Sequence, residues 1–279
     1  MSTRILRIFL AGGSGVIGSR LIPELVEAGH DITATTRRAE DLRYLRERGA
    51  QGGVVDVYDA PQLASVVATA GPDLVLHELT DLGDFDPQAN ARLRRAGTAN
   101  LVAAAEAAGV ERMIVQSTAS AYTAGDSLAV EEDPIEPGSA SETMERLVCR
   151  MPRATVLRYG LLYGPDTWYA PGARMANAVV AGLVSATPTI TSFVHIDDVV
   201  TATVRAISWP DGAYNIVDDE PAPATTWLPA YARGLGAPTP KVAGLSEGTP
   251  RGRGVSNAKA RAAGWVPQHA SWREGFPRG

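Results

Sequence analysis

Lysine is nearly absent from this chain: of 26 Lys and Arg residues in 279, only Lys241 and Lys259 are lysines. Four positions before them stand Ala237 and Val255, so the sequence holds no Tyr-x-x-x-Lys pair. Cysteine is limited to Cys149, which excludes an internal disulfide and predicts a reducing, cytoplasmic location, with the thiol inert. No apolar run approaches the ~20 residues that span a bilayer, and the first one stops at a glycine turn, so neither a membrane span nor an N-terminal signal is expected. A net charge of −5 with scattered arginines argues against nucleic acid as a partner. The four histidines (His30, His77, His195, His269) show no metal-ligand spacing, and Glu131, Glu132 and Asp133 read as a solvated turn before Pro134; no metal is expected.

What is present begins with the apolar run Ile5, Leu6, Ile8, Phe9, Leu10, followed by Gly12, Gly13, Gly15 and Gly18 and then by Leu21, Ile22, Leu25, Val26 at helical spacing up to Gly29. This is strand, tight turn, helix, and a second strand over 31–36 completes a βαβ unit. Glycines at 12, 15 and 18 let backbone N–H groups reach a pyrophosphate at a helix N-terminus, which favours negative charge. The loop Gly12, Gly13, Ser14, Gly15, Val16, Ile17, Gly18 is therefore a candidate cofactor cradle, the alternative being a glycine-rich turn without ligand. At the end of the second strand, where a site for NAD favours an acid, the chain has Thr35-Thr36-Arg37-Arg38. Two guanidiniums suit a 2′-phosphate, so NADPH is the expected cofactor and NADH a second one; the alternative is a solvated loop leading into a charged helix over 41–48.

Strands over 53–57, 73–77, 112–117 and 154–159 alternate with helices over 61–70, 87–108 and 139–150. This predicts an α/β fold with a doubly wound parallel sheet of Rossmann type. Regularity fails after Gly164 and returns with a helix over 197–208. The expected division is a dinucleotide-binding domain over 1–160 and a smaller substrate lobe over 161–279, with about 193–210 returning to the first domain. Such a chain suits a small-molecule partner and leaves monomer and homodimer open.

The segments Leu10–Gly18, Asp56-Val57, Pro72–His77, Gly97–Ala105, Ser117-Thr-Ala-Ser-Ala-Tyr122, Leu157–Pro165 and Phe193-Val-His-Ile-Asp-Asp198 resemble, in order and spacing, the landmarks of the extended short-chain dehydrogenase/reductases, the NAD-dependent epimerase/dehydratase family. The resemblance covers about 5–220. It implies Asp56 and Val57 at the adenine, and Leu79 and Thr80 beside the nicotinamide ribose, with Asp81 following toward the substrate. It also implies Tyr159 at the cofactor, Thr118 as the catalytic Ser/Thr, Ser117 beside it as a cofactor or substrate contact or a mere strand end, and His195 as a structural anchor.

The departure comes next. Aligned on Glu145, the family's tyrosine becomes Pro137 and its lysine Ser141, and no tyrosine lies between Tyr122 and Tyr159. The proton donor is missing, and so is the lysine that lowers its pKa and holds the ribose. A positioned general acid contributes about 10²- to 10⁴-fold, so hydride transfer remains feasible, whereas alcohol oxidation and sugar epimerisation suffer more. Three sources could supply the proton: Tyr122, whose family counterpart is structural; the aromatic loop of Tyr163, Trp168 and Tyr169, which otherwise reads as a lid over substrate; or the substrate itself. A ketone flanked by a phenolic hydroxyl carries an internal hydrogen bond, which points to aromatic polyketides in antibiotic biosynthesis; methylating that hydroxyl should stop turnover. The pattern is similar to that of angucyclinone C7-ketoreductases, an atypical branch without the pair. The expected activity is an NADPH-dependent ketoreductase. Its rivals are a non-catalytic NADP(H) sensor and a sugar-nucleotide epimerase or dehydratase. The epimerase would draw on Arg174, Arg205, Arg251 and Arg253 for a substrate diphosphate.

Overall fold

The computed structural model describes residues 4–83, 86–245 and 252–277; Arg251 lies outside them. Strand β1 (Arg7–Ala11) has Ile8, Phe9, Leu10 and Ala11 buried without alternation, as a central strand covered on both faces requires. Helix α1 (Gly18–Glu27) buries Leu21, Ile22 and Leu25, one stripe of a 3.6-residue period, and the chain leaves it through Gly29 at φ 87°. There follow β2 (Asp31–Thr36), α2 (Asp41–Glu47), β3 (Gln51–Val54), α3 (Ala60–Ala70) and β4 (Leu74–His77). Asp59 starts α3 by accepting the Gln62 N–H at 3.0 Å.

The long helix expected over 87–108 is divided: α4 (Pro87–Arg92) runs through a π-helical turn, Leu93–Gly97, into α5 (Thr98–Ala107). After β5 (Arg112–Thr118) come α6 (Ala140–Val148) and β6 (Arg153–Tyr159). At the head of α6 the Ser139 hydroxyl accepts the Glu142 N–H, and the Glu142 carboxylate accepts the Gly138 N–H at 2.7 Å.

The remaining elements are β7 (Leu161–Tyr163), α7 (Arg174–Val180), β8 (Ile190–Thr191), β9 (Phe193–His195), α8 (Ile196–Ala206), β10 (Gly212–Ile216), β11 (Ala222–Pro223), α9 (Ala224–Gly234), α10 (Ala258–Ala262) and α11 (Trp272–Gly275). The central sheet is seven-stranded in the order β10-β6-β5-β4-β1-β2-β3. β1 pairs parallel with β2 through Ile8–Ile32 and with β4 through Ile8–Leu74, so strand order reverses across β1 and β4. That reversal opens a crevice at their carboxyl ends.

Contacts divide the chain into two compact units. One holds Met1–Ser117, Gly138–Leu157 and Thr203–Gly212; the other holds Thr118–Pro137, Arg158–Ala202 and Ala213–Gly279. In the second unit β7 pairs parallel with β9 and β8 antiparallel with β11. Its core is aromatic, with Tyr163, Tyr169, Phe193, Trp227, Tyr231, Trp272 and Phe276 packed together. Among the described residues no helix is long and apolar enough to cross a membrane.

Candidate functional site

The glycine turn closes on itself and on β2. The Gly13 N–H donates to Thr35 O at 2.9 Å, and the Gly15 N–H to Gly12 O at 3.1 Å. A methyl group at Gly18 would stand 2.2 Å from Gly12 O, and one at Gly13 would stand 2.6 Å from the Ala34 Cβ. Gly12 has φ +97°, open to glycine and strained for other residues. Ser14 is not a free donor in the turn: its hydroxyl bonds Thr36 Oγ1 at 3.0 Å, and Thr36 donates to Asp41 at 2.8 Å. Gly15 and Val16 are exposed and Ile17 is buried, and no side chain caps α1. A cradle that side chains would fill, in front of an uncapped helix, fits a dinucleotide pyrophosphate.

Beyond the turn lies a cleft walled by Ala11, Thr35, Val55, Val57, Tyr58 and Leu63 and reached by Arg37, Leu79 and Thr80. Its apolar walls suit an adenine ring, and its residues fit the expected group. Asn100 fixes the wall by donating to Val57 O at 3.0 Å, and Asp56 accepts the Tyr58 N–H at 3.0 Å. Asp56 is thus turned to its own loop, while Tyr58 and Val55, unremarkable in sequence, line the cleft.

The two arginines part company. Arg37 lines the cleft and its Nη1 lies 3.6 Å from Asp81. Arg38 is forked onto Asp41, with Nε–Oδ2 at 3.0 Å and Nη2–Oδ1 at 3.1 Å. Asp81 is therefore placed opposite the cleft-lining Arg37, its N–H donating to Asn90 Oδ1 at 3.1 Å.

At the end of β5 the buried Ser117 hydroxyl donates to Glu145 of α6 at 2.6 Å. On the same face of α6, one turn earlier, Ser141 is buried at the lysine position and accepts from Arg94 Nη1 at 2.6 Å. His77, ending β4, is fully buried with Nε2 2.9 Å from the Thr98 hydroxyl. Burial, with the Arg94 charge nearby, pushes its pKa down to about 4, so it is neutral.

In the second unit, half-buried Thr118 shares a 2.7 Å hydrogen bond with the Ser120 hydroxyl. The Tyr122 hydroxyl donates to Asn215 Oδ1 at 2.7 Å and accepts from Arg158 Nη1 at 2.7 Å. Burial raises its pKa against the pull of Arg158. Tyr159 is buried at the end of β6.

The lid expected of Tyr163, Trp168 and Tyr169 requires correction. Tyr163 is 0% and Tyr169 3% exposed, each edge-on to Phe193 in the aromatic core, and only Trp168 stays partly exposed. Rings of that area are stabilised more by mutual packing than by standing over an open pocket. His195, Asp198 and His269 bring ligand atoms within 4.8 Å of one another. The Asp198 oxygens accept the Gln268 and His269 N–H groups at 2.6 and 2.9 Å, and the two imidazoles stack at 3.7 Å, the arrangement of a loop anchor.

A glycine cradle at the switch of a parallel sheet defines a Rossmann-type nucleotide-binding protein. The model of the NAD dependent epimerase/dehydratase family matches residues 8–217, and the chain belongs to that family. A 3-diazoavenalumate denitrifying reductase from a Streptomyces species is 40% identical over 98% of this chain and 100% of its own length. Bordetella bronchiseptica WbmG, solved with NAD and UDP, superposes with a TM-score of 0.80 at 22% identity, covering 98% of this chain and 93% of its own. The UDP-glucose 4-epimerase of Thermus thermophilus, in complex with NAD, gives 0.79 at 24% identity, covering 97% and 96%. Family and relative together make the chain an NAD(P)-dependent oxidoreductase.

Proposed function

We propose that the protein is an NADPH-dependent reductase whose acceptor needs no proton from a protein side chain, with an aromatic diazonium group as the first candidate. The observation that carries this reading is the commitment of Tyr122, whose one proton goes to Asn215 and whose oxygen is held by Arg158. The tyrosine position itself is Pro137. A reduced nicotinamide bound in the cleft supplies hydride. A ketone that takes up hydride becomes an alkoxide and must then be protonated. An arenediazonium that takes up hydride yields arene and dinitrogen, balanced in atoms and charge with no added proton. The loss of tyrosine and lysine is costly for the first reaction and harmless for the second, and the 40% identity to a denitrifying reductase supports the same choice.

In this reading Gly12–Gly18 seat the pyrophosphate, Val57, Tyr58 and Leu63 wall the adenine, and Arg37 holds a 2′-phosphate, which favours NADPH over NADH. Thr118 offers a hydroxyl to an oxygen of the substrate. A hydroxyl-flanked aromatic ketone is the second reading, because its internal hydrogen bond replaces the missing acid.

The test offers an ortho-hydroxyarenediazonium carboxylate and an ortho-hydroxyaryl ketone in parallel, with NADPH dideuterated at C4 and a control without protein. The expected result is one dinitrogen per NADPH and deuterium on the aryl carbon. Turnover of the ketone alone moves the assignment to ketoreductase. Tight NADPH binding without turnover of either sinks the reductase in favour of a sensor.

A further inference from the structure

Arg94 stands outside the cleft described above, yet it is placed with care. It rides on the π-helical turn Leu93–Gly97, where one extra residue per turn re-aims side chains relative to a regular helix. Its Nη1 donates to Ser141 Oγ at 2.6 Å, across 47 residues of sequence. Glu145, one turn along α6, lies close enough to raise the Arg94 pKa against the lowering effect of burial, and Arg94 in turn helps keep His77 neutral. Glu145 is itself bonded to Ser117 at 2.6 Å.

These neighbours fix where the guanidinium is. His77 is the last residue of β4, Ser117 the last but one of β5, and Ser141 and Glu145 share one face of α6. Arg94 therefore lies at the carboxyl edge of β4 and β5, beside the reversal of strand order at β1 and β4, the edge where open α/β sheets hold ligands. A guanidinium has five N–H donors. Among the described residues Arg94 makes one hydrogen bond, so the rest of its donor edge is available to oxygen acceptors of a ligand. Taking a cation out of water is unfavourable unless such acceptors complete its shell.

We propose that Arg94, from the π turn, supplies the positive charge that the family draws from a lysine at the Ser141 position, and that its remaining N–H groups hold hydroxyl oxygens of the ribose on the nicotinamide side of the bound dinucleotide. The charge has moved from α6 to the facing helix, and Ser141 has become its rest. This assignment rests on the dinucleotide-binding reading of the same unit, and the experiment separates the two.

Dissociation constants for NADPH are measured on the full chain by fluorescence titration, with thermal melts alongside. Arg94→Gln should weaken binding about 10- to 100-fold in folded protein, the scale of a lost charged hydrogen bond. Arg94→Gln combined with Ser141→Lys, which returns the cation to α6, should come back to within about 5-fold of wild type. Wild-type affinity in Arg94→Gln, or a loss that Ser141→Lys leaves unrestored, overturns the assignment and makes Arg94 a structural partner of Glu145. If Arg94→Gln does not fold, Arg94→Lys decides: a folded variant within about 5-fold supports the assignment, and one weaker by more than about 10-fold overturns it. Wild-type protein that binds neither NADPH nor NADH would defeat the dinucleotide reading and this assignment with it. Normal wild-type binding beside an inert Arg94 defeats this assignment alone.

Discussion

Arg37 and Arg38 are adjacent in sequence and differ in what they are free to do. Both guanidiniums suggest a phosphate site when read as letters, but Arg38 is already bidentate on Asp41, whereas Arg37 lines the cleft and, among the described residues, has a longer 3.6 Å contact to Asp81. A 2′-phosphate adds a doubly charged acceptor and draws Arg37 first. If NADPH is the cofactor as proposed, Arg37→Ala should weaken its binding relative to NADH by about 10- to 100-fold, and Arg38→Ala by no more than about 3-fold. Titrating each variant with both nucleotides checks this; equal losses would show a shared phosphate fork. Tyr122 was legible in the same partial way. The sequence placed it four residues after Thr118, but its partners Arg158 and Asn215 lie 36 and 93 residues further on.

Among the elements, the β1–turn–α1 unit is the part most fully written in the sequence, because its constraints are local and steric. Gly18 must lack a side chain since a Cβ there would penetrate the Gly12 carbonyl at 2.2 Å, with backbone on both sides and nothing able to rotate away. Gly29 is the contrast: its φ is positive, +87°, and nothing lies within 4 Å of a Cβ built on it. Gly18→Ala should abolish measurable NADPH binding and lower the melting temperature by several degrees. Gly29→Ala should cost about 1 kcal/mol of stability and leave nucleotide affinity unchanged. Equal nucleotide affinity in the two variants would refute the cradle. The helix after β4 is less legible: its pattern predicts a helix over 87–108 but not the π turn at Leu93–Gly97, since residues of ordinary helical propensity carry no mark of one inserted residue.

At the scale of the whole chain, stability should carry the signature of buried ionisable groups. Asp218, just past β10, is 1% exposed; burial pushes its pKa up to about 8, although the N–H groups of Glu220 and Trp272 on its two oxygens pull the other way. Its folded pKa lies above its unfolded value near 3.8, so the native state holds a proton that the unfolded chain has released. The contribution is complete below that unfolded value and is lost as pH rises toward 8, with a limiting slope of about 1.4 kcal/mol per pH unit. Asp218→Asn imitates the protonated form, so wild-type unfolding free energy should fall more steeply than that of the variant between pH 5 and 7.5. Parallel curves in denaturant titrations at several pH values would show that Asp218 is ionised in the fold. The sequence by itself determined the Rossmann class, the tight glycine turn between β1 and α1 and the absence of a Tyr-x-x-x-Lys pair, because glycine sterics, strand and helix periods and absent residues are all local facts. Only the tertiary structure decided that Tyr163 and Tyr169 belong to an aromatic core, that Arg38 is taken by Asp41, and that Arg94 rests on Ser141. Which distant side chains meet depends on how whole elements pack, and neither composition nor spacing encodes that at a single position.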